Sequence, residues 1–348
     1  MLRVLIVDDS PTVRGLLAGI LGSDPDIQIV GEAANGAEAV QQTKALRPDL
    51  VTMDVHMPHM DGYGATKEIM IHVPTPIVIV SASLGARDVA ATMRALAAGA
   101  LTVLEKPAGA GAPHFETQAR QLIATVKAMA DVKVVRHHRS NKLIEPIQSP
   151  VLPRISSRVA RARIIAIATS TGGPAALQTI LSQLPAKLSV PIVIVQHISR
   201  GFVTGLATWL GSVCKLNVRV ARDGEPLSPG TVYLAPEDRH LGVRGRTGIA
   251  LMDEPPVGGF RPAGTVLFES VAQSFGSDMV AVILTGMGED GVRGLRAVRE
   301  ASGTVIAQDE ATSIVFGMPG VAIAQGLADD VLPIEAIATR LLELIVPR

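Results

Sequence analysis

The chain has 348 residues, 47% of them hydrophobic but only 3% aromatic, and a formal net charge of zero. That length fits two domains of about 100–200 residues better than one, and the neutral balance gives no electrostatic basis for binding nucleic acid or an anionic membrane. A single cysteine, Cys214, excludes an intramolecular disulfide and a cysteine-built zinc site. The apolar runs fall far short of the ~20 residues of a membrane span. Asp8–Asp9 arrive before a signal-peptide core, so a cytoplasmic protein without membrane insertion is expected.

Five short runs rich in Val, Ile and Leu open the chain: RVLIVDD, IQIVGEA, DLVTMD, PIVIVSA and ALTVLEKP. Cores poor in aromatics and built from such runs suit parallel strands buried on both faces. Helices are predicted between the runs, beginning near Pro11, Gly36, Gly62 and Ala86, with a fifth near His114. Ser10 before Pro11 is a start signal, since its hydroxyl can cap the helix and proline lacks only an N–H that is unpaired there anyway. Alternating strands and helices predict a doubly wound α/β sheet, whose ligands sit beyond the carboxyl ends of the strands.

Those ends carry the polar residues. Asp8 and Asp9 close the first strand, Asp54 the third and Ser81 the fourth, and Lys106 follows the fifth. Clustered carboxylates repel one another unless a cation joins them, and Mg²⁺ prefers such hard oxygen ligands. A carboxylate held there can attack a phosphoryl donor to give an acyl phosphate, with Ser81 and Lys106 contacting its oxygens.

The segments VLIVDDS, MDVHMPHMDG, VSAS and EKP closely resemble the receiver domain of response regulators. The resemblance implies a flavodoxin-like, five-stranded fold over residues 1–127, phosphorylation of Asp54 by a cognate histidine kinase, and Mg²⁺ held by Asp8, Asp9, Asp54 and the backbone carbonyl of His56. It also implies that Ser81 and Lys106 sense the phosphoryl group. Position 56 is often Glu in such domains, and Val103 stands where many carry an aromatic switch residue.

Residues 128–161 differ from both flanks. Lys and Arg outnumber acids, three prolines occur and no apolar periodicity persists, which predicts a basic, flexible linker. His137–His138 in this stretch read as solvated rather than as metal ligands.

From residue 162 the α/β pattern restarts, with RIIAIATS, PIVIVQHI, TVYLAP, MVAVILTGMGEDG and GTVIAQ as strand candidates. Ser170 follows one strand and precedes Gly172–Gly173, where helix-start N–H groups can stabilise an oxyanion. His197 ends the next strand, and Asp290 lies in the Gly-rich turn after MVAVIL. A serine needs an adjacent base, and an imidazole needs an orienting carboxylate to serve as one. On pattern alone Thr169 and Thr171 rival Ser170, His240 rivals His197, and Glu289 rivals Asp290.

The segments ATSTGGP, VQHISRGFVTGLATWL, DGEPLSPGTVYLAPEDRHL, ILTGMGEDGVRGL and AQDEATSIVFGMPGVAIAQGLAD resemble the effector domain of chemotaxis protein-glutamate methylesterases. FRPAGTVLF (260–268) departs from the family's usual form, in which a Ser-Val-Asp run follows the Arg-Pro. The resemblance implies a second doubly wound α/β domain over residues 162–348, with Ser170 as nucleophile, His197 as base and Asp290 orienting it. It further implies an oxyanion hole of backbone N–H groups at Thr171 and Met287, and no cofactor for the esterase reaction. The implied activity is phosphorylation-controlled hydrolysis of glutamyl methyl esters on methyl-accepting chemoreceptors, releasing methanol, with deamidation of receptor glutamines. The receiver is then expected to form an intramolecular interface over the catalytic mouth. A DNA-binding regulator is disfavoured, because the second half is α/β rather than a short helix-turn-helix unit.

Overall fold

The computed structural model describes residues 1–81, 86–109, 111–112, 115–130, 132 and 162–345. Most of the expected linker, His137–His138 included, lies outside the described residues. The first unit runs β1 (Leu2–Val7), α1 (Pro11–Gly22), β2 (Ile27–Ala33), α2 (Gly36–Leu46), β3 (Leu50–Met53), α3 (Gly62–His72), β4 (Ile77–Ser81), α4 (Ala86–Ala97), β5 (Thr102–Glu105) and α5 (Phe115–Ala130). Helix starts follow their caps: Ser10, Asn35 and Asp61 each accept a hydrogen bond from a backbone N–H of the first turn. The sheet is parallel with order β2-β1-β3-β4-β5, so its switch point falls between β1 and β3 and β5 forms an edge.

The second unit continues with β6 (Ile164–Thr169), α6 (Gly173–Gln183), β7 (Ile192–Gln196), α7 (Val203–Val213), β8 (Asn217–Val220), β9 (Thr231–Leu234), β10 (His240–Arg244) and β11 (Gly248–Met252). It ends with α8 (Gly264–Phe275), β12 (Met279–Ile283), α9 (Val292–Glu300), β13 (Thr304–Gln308), α10 (Met318–Ala324), β14 (Asp330–Leu332) and α11 (Ile334–Leu344). Seven strands form a parallel sheet in the order β14-β13-β12-β6-β7-β9-β8, while β10 and β11 make a separate antiparallel hairpin. The five strands expected from apolar runs are all present. Sequence reading passed over β8 and β14, which are short and only partly buried, and over the hairpin.

The central strands β6, β7 and β12 are buried along their whole length, as near-continuous Ile, Val and Ala runs require. One apolar cluster passes between the two units without a break, joining Met93, Leu96, Ala100 and Val103 to Leu177, Ile180, Phe202, Val203 and Leu206. The units therefore meet through core-like contact and not across a polar gap. Among the described residues, no helix is long and apolar enough to cross a membrane.

Candidate functional site

Two sites lie at the carboxyl ends of the two sheets. In the first unit, β1 and β3 are neighbours, which brings Asp8, Asp9 and Asp54 together with ligand oxygens within 4.8 Å of one another. Asp8 and Asp54 are buried and Asp9 is exposed. Lys106 Nζ lies 2.7 Å from Asp8 Oδ2 and 3.0 Å from Asp54 Oδ2. Burial pushes the Asp54 carboxyl above its ordinary range, with Lys106 opposing that rise and the charge of Asp8 adding to it. Burial alone would lower Lys106, but Asp8 and Asp54 more than offset it and hold the ammonium charged.

One lysine against three carboxylates leaves a negative pocket made only of hard oxygen donors, a set that fits Mg²⁺. Ser81, at the end of β4, is buried, and its hydroxyl has no hydrogen-bond partner among the described residues. Its carbonyl accepts from the Lys106 N–H at 2.9 Å, so the two expected phosphoryl sensors are tied together. His56 is exposed in the loop between β3 and α3.

In the second unit, β6 lies between β7 and β12, so Ser170, His197 and Asp290 follow three adjacent strands at the switch point. His197 Nε2 lies 3.0 Å from Asp290 Oδ2. The approach is close, but neither ring nitrogen of His197 has an aligned hydrogen-bond partner. With Nε2 on the carboxylate, Nδ1 is the ring nitrogen able to take up a proton.

Asp290 sits against the start of α8. Its Oδ2 accepts from the Gly264 N–H at 2.5 Å, and its Oδ1 accepts from Thr265 at 3.1 Å and from its own neighbour Gly291 at 2.8 Å. Burial works against its charge, yet the His197 ring and the N–H groups of Gly264 and Thr265 outweigh it and hold the carboxyl below the ordinary carboxylate range. A helix N-terminus favours such a charge.

Gln196 ties the end of β6 to the end of β7. Its Nε2 donates to the carbonyls of Ser170 and His197 at 2.8 Å each. Gly286 packs directly on the serine: a Cβ there would stand 2.7 Å from the Ser170 Cβ, so no side chain is tolerated.

Partners separate the rivals that spacing left open. Thr169 is fully buried, and its hydroxyl donates to the Thr285 carbonyl at 3.0 Å. Ser170 is partly accessible, and its hydroxyl makes no hydrogen bond among the described residues. His240 is fully buried, with Nε2 3.1 Å from the Pro255 carbonyl and Nδ1 accepting from Ala263 N–H at 3.2 Å, so both nitrogens are committed. Glu289 is exposed, whereas Asp290 is buried beside the imidazole.

The N–H groups of Thr171 and Met287 donate to no acceptor among the described residues, as an oxyanion hole requires. The next N–H along, that of Gly172, donates to the Leu101 carbonyl of the first unit at 3.2 Å. Ser199 Oγ donates to the Val103 carbonyl at 2.7 Å. The edge strand β5 is thus laid across the mouth. Leu96, Leu101, Thr102 and Val103 face Ser170, Pro174, Gln196, His197 and Ile198 across a cavity of about 10 Å³, room for roughly one water.

Sequence reading missed one residue at this site. The Phe260 ring stacks on His197 with centroids 4.2 Å apart and planes 4° from parallel. No signal in the sequence pointed to it, since the departure of FRPAGTVLF from the expected pattern lies after Arg261–Pro262 and not at Phe260.

Residues 165–341 match the family described as CheB methylesterase, and residues 4–112 match the response regulator receiver domain. The chain is 53% identical over 342 residues to protein-glutamate methylesterase/protein-glutamine glutaminase 3 of Anaeromyxobacter dehalogenans, covering 98% of both chains. It is 51% identical to enzyme 4 of that name from Myxococcus xanthus, covering 98% of this chain and 96% of the relative. The crystal structure of the CheB methylesterase catalytic domain of Thermotoga maritima is similar with TM-score 0.52 and 43% identity, over 53% of this chain and 99% of that one.

Proposed function

The chain belongs to the CheB methylesterase family, and from that premise we propose how its residues hydrolyse glutamyl methyl esters and deamidate glutamines under the control of a receiver domain. Residues 1–127 are the receiver, 128–161 the linker and 162–348 the catalytic domain. Chemoreceptors are the substrates and a histidine kinase supplies the phosphoryl group. The observation that carries the reading is the His197–Asp290 pair, 3.0 Å apart beside Ser170 at the switch point of a parallel sheet.

Ser170 is the nucleophile. Its proton passes to His197 Nδ1 as Oγ attacks the ester carbonyl, while ionised Asp290 keeps the ring proton on Nε2 and stabilises the imidazolium. The Thr171 and Met287 N–H groups receive the developing oxyanion. The imidazolium returns its proton to the departing methanol, and water cleaves the acyl-enzyme by the same relay. With a glutamine, ammonia leaves instead.

In the receiver, Asp8, Asp9, Asp54 and the His56 carbonyl would hold Mg²⁺, which would supply positive charge for the phosphorylation of Asp54. Ser81 and Lys106 then contact the phosphoryl oxygens. Lys106 immediately follows β5, and the carbonyls of Val103 in that strand and of Leu101 just before it hold the catalytic domain. A pull on Lys106 is therefore a pull on the docked edge, a route that needs no aromatic at Val103. The docked receiver leaves no room for a receptor helix at Ser170 and His197.

The test is methanol release from methylated receptor membranes, with and without a small-molecule phosphodonor. Ser170→Ala abolishes release and leaves Asp54 phosphorylation intact. Normal turnover by that variant refutes the reading.

A further inference from the structure

The segment 253–263 links β11 to α8, and neither end of it is loose. Arg239 grips its first residue, Nε to Asp253 Oδ1 at 2.8 Å and Nη2 to Oδ2 at 3.0 Å. His240, the next residue, donates from Nε2 to the Pro255 carbonyl and accepts the Ala263 N–H at Nδ1. Two consecutive residues opening β10 thus hold the segment at its start and at its end. Arg261 reaches back with Nη1 to the carbonyls of Asp253 and Glu254, 3.4 Å from each.

The middle is a tight hairpin. Val257 and Phe260 exchange two backbone hydrogen bonds of 3.0 Å across Gly258 and Gly259, whose φ values are +60° and +86°. A two-residue turn with positive φ at both central positions strongly favours glycine there. A Cβ on either glycine would meet nothing within 4 Å, so backbone conformation and not space demands them.

What this arm presents is the Phe260 ring, flat on His197 at 4.2 Å though 36% exposed. An exposed phenyl held by a braced turn is not placed there to fill a core. From the stack and the braced arm, and on the reading of His197 as the base, we infer that Phe260 is a positioning residue for the reaction. Its face fixes the plane of the imidazole, so that Nε2 stays on Asp290 and Nδ1 stays aimed at the serine. When the Ser170 proton arrives, the ring becomes a cation over a π face, an attraction absent before the transfer. The stack therefore favours the transition state over the ground state, which raises kcat and leaves substrate binding alone. Asp290 is the charged side chain facing the imidazole. Glu237 and Asp238 of the neighbouring loop are occupied by the Gly201 N–H and by Arg200.

The experiment uses the full chain activated by a small-molecule phosphodonor, with methanol release and proton NMR of His197 as readouts. Phe260→Leu lowers kcat about threefold to tenfold, the range of a cation–π contact, and leaves KM unchanged within about twofold. Phe260→Tyr restores kcat. In wild type the phenyl ring current moves the His197 ring protons upfield; the displacement is lost in Phe260→Leu and kept in Phe260→Tyr. Gly258→Val, which keeps the phenyl but strains the turn, lowers kcat as Phe260→Leu does. Full kcat in Phe260→Leu, a loss confined to KM, or a loss that tyrosine does not restore overturns the inference. Methanol release that wild type itself lacks refutes the esterase reading, and the NMR comparison then still decides whether the stack orients the ring.

Discussion

Ser199 Oγ donates to the Val103 carbonyl at 2.7 Å, so a catalytic-domain hydroxyl caps the edge strand of the receiver. Among the described residues the bond is one of the polar contacts between the two domains, and Ser199 lies two residues beyond His197. A hydrogen bond of this kind contributes about 0.5–1.5 kcal/mol, enough to shift a docking equilibrium about twofold to tenfold. Ser199→Ala is expected to raise methanol release by the unphosphorylated chain by that factor. The phosphorylated chain should be unaffected if undocking has already broken the bond there.

Asp290→Asn tests the carboxylate in two ways. Turnover should fall about 10³–10⁴-fold, since an amide no longer fixes the tautomer of His197. The same change sets the NH₂ or the weaker oxygen of an amide against three N–H donors, at a cost of about 1–3 kcal/mol. Because burial is outweighed and the folded carboxyl titrates low, its stabilisation is present above the ordinary value near ~3.9. It is lost as pH falls through the lower folded value. Denaturant midpoints of wild type and variant should therefore differ by a constant amount at neutral pH and converge in strong acid.

Metal removal should separate the two chemistries. Chelation of Mg²⁺ is expected to block labelling of Asp54 by a phosphodonor. It should leave the basal methanol release of the unphosphorylated chain unchanged, because the proposed relay runs through Ser170, His197 and Asp290 alone. A loss of basal release on chelation would contradict that division.

A chain beginning at residue 162 lacks the strand laid across Ser170. It should release methanol at least about tenfold faster than the unphosphorylated full chain and should ignore phosphodonor. A complete reversal of a 1:99 docking equilibrium corresponds to about 5.5 kcal/mol, so the measured ratio reports how firmly the receiver is held.

Much of this was legible in the sequence. The first helix start of the receiver was marked by the Ser10 cap before Pro11, and strands such as IVIVQ announce themselves by composition. Ser170, His197 and Asp290 were visible as polar residues ending apolar strands. Their rivals were equally visible, and only partners distinguish them: His240 is spent on Pro255 and Ala263, Thr169 on Thr285. Strand order is set by packing across the whole sheet, so the adjacency of β12, β6 and β7 could not be read locally. The stack of Phe260 on His197 depends on a hairpin whose anchors, Arg239 and His240, lie in another element. No periodicity encodes it.

The edge position of β5 has a consequence beyond regulation. Docked, its Val103 carbonyl is capped by Ser199, the Leu101 carbonyl just before it by Gly172, and its apolar neighbours are covered. Once released, that border stands bare in water, and bare strand borders invite other copies to zip onto them. A long-lived phosphoryl group would leave many such borders open together in a crowded cell. Undocking would thus carry a liability to self-association alongside activity.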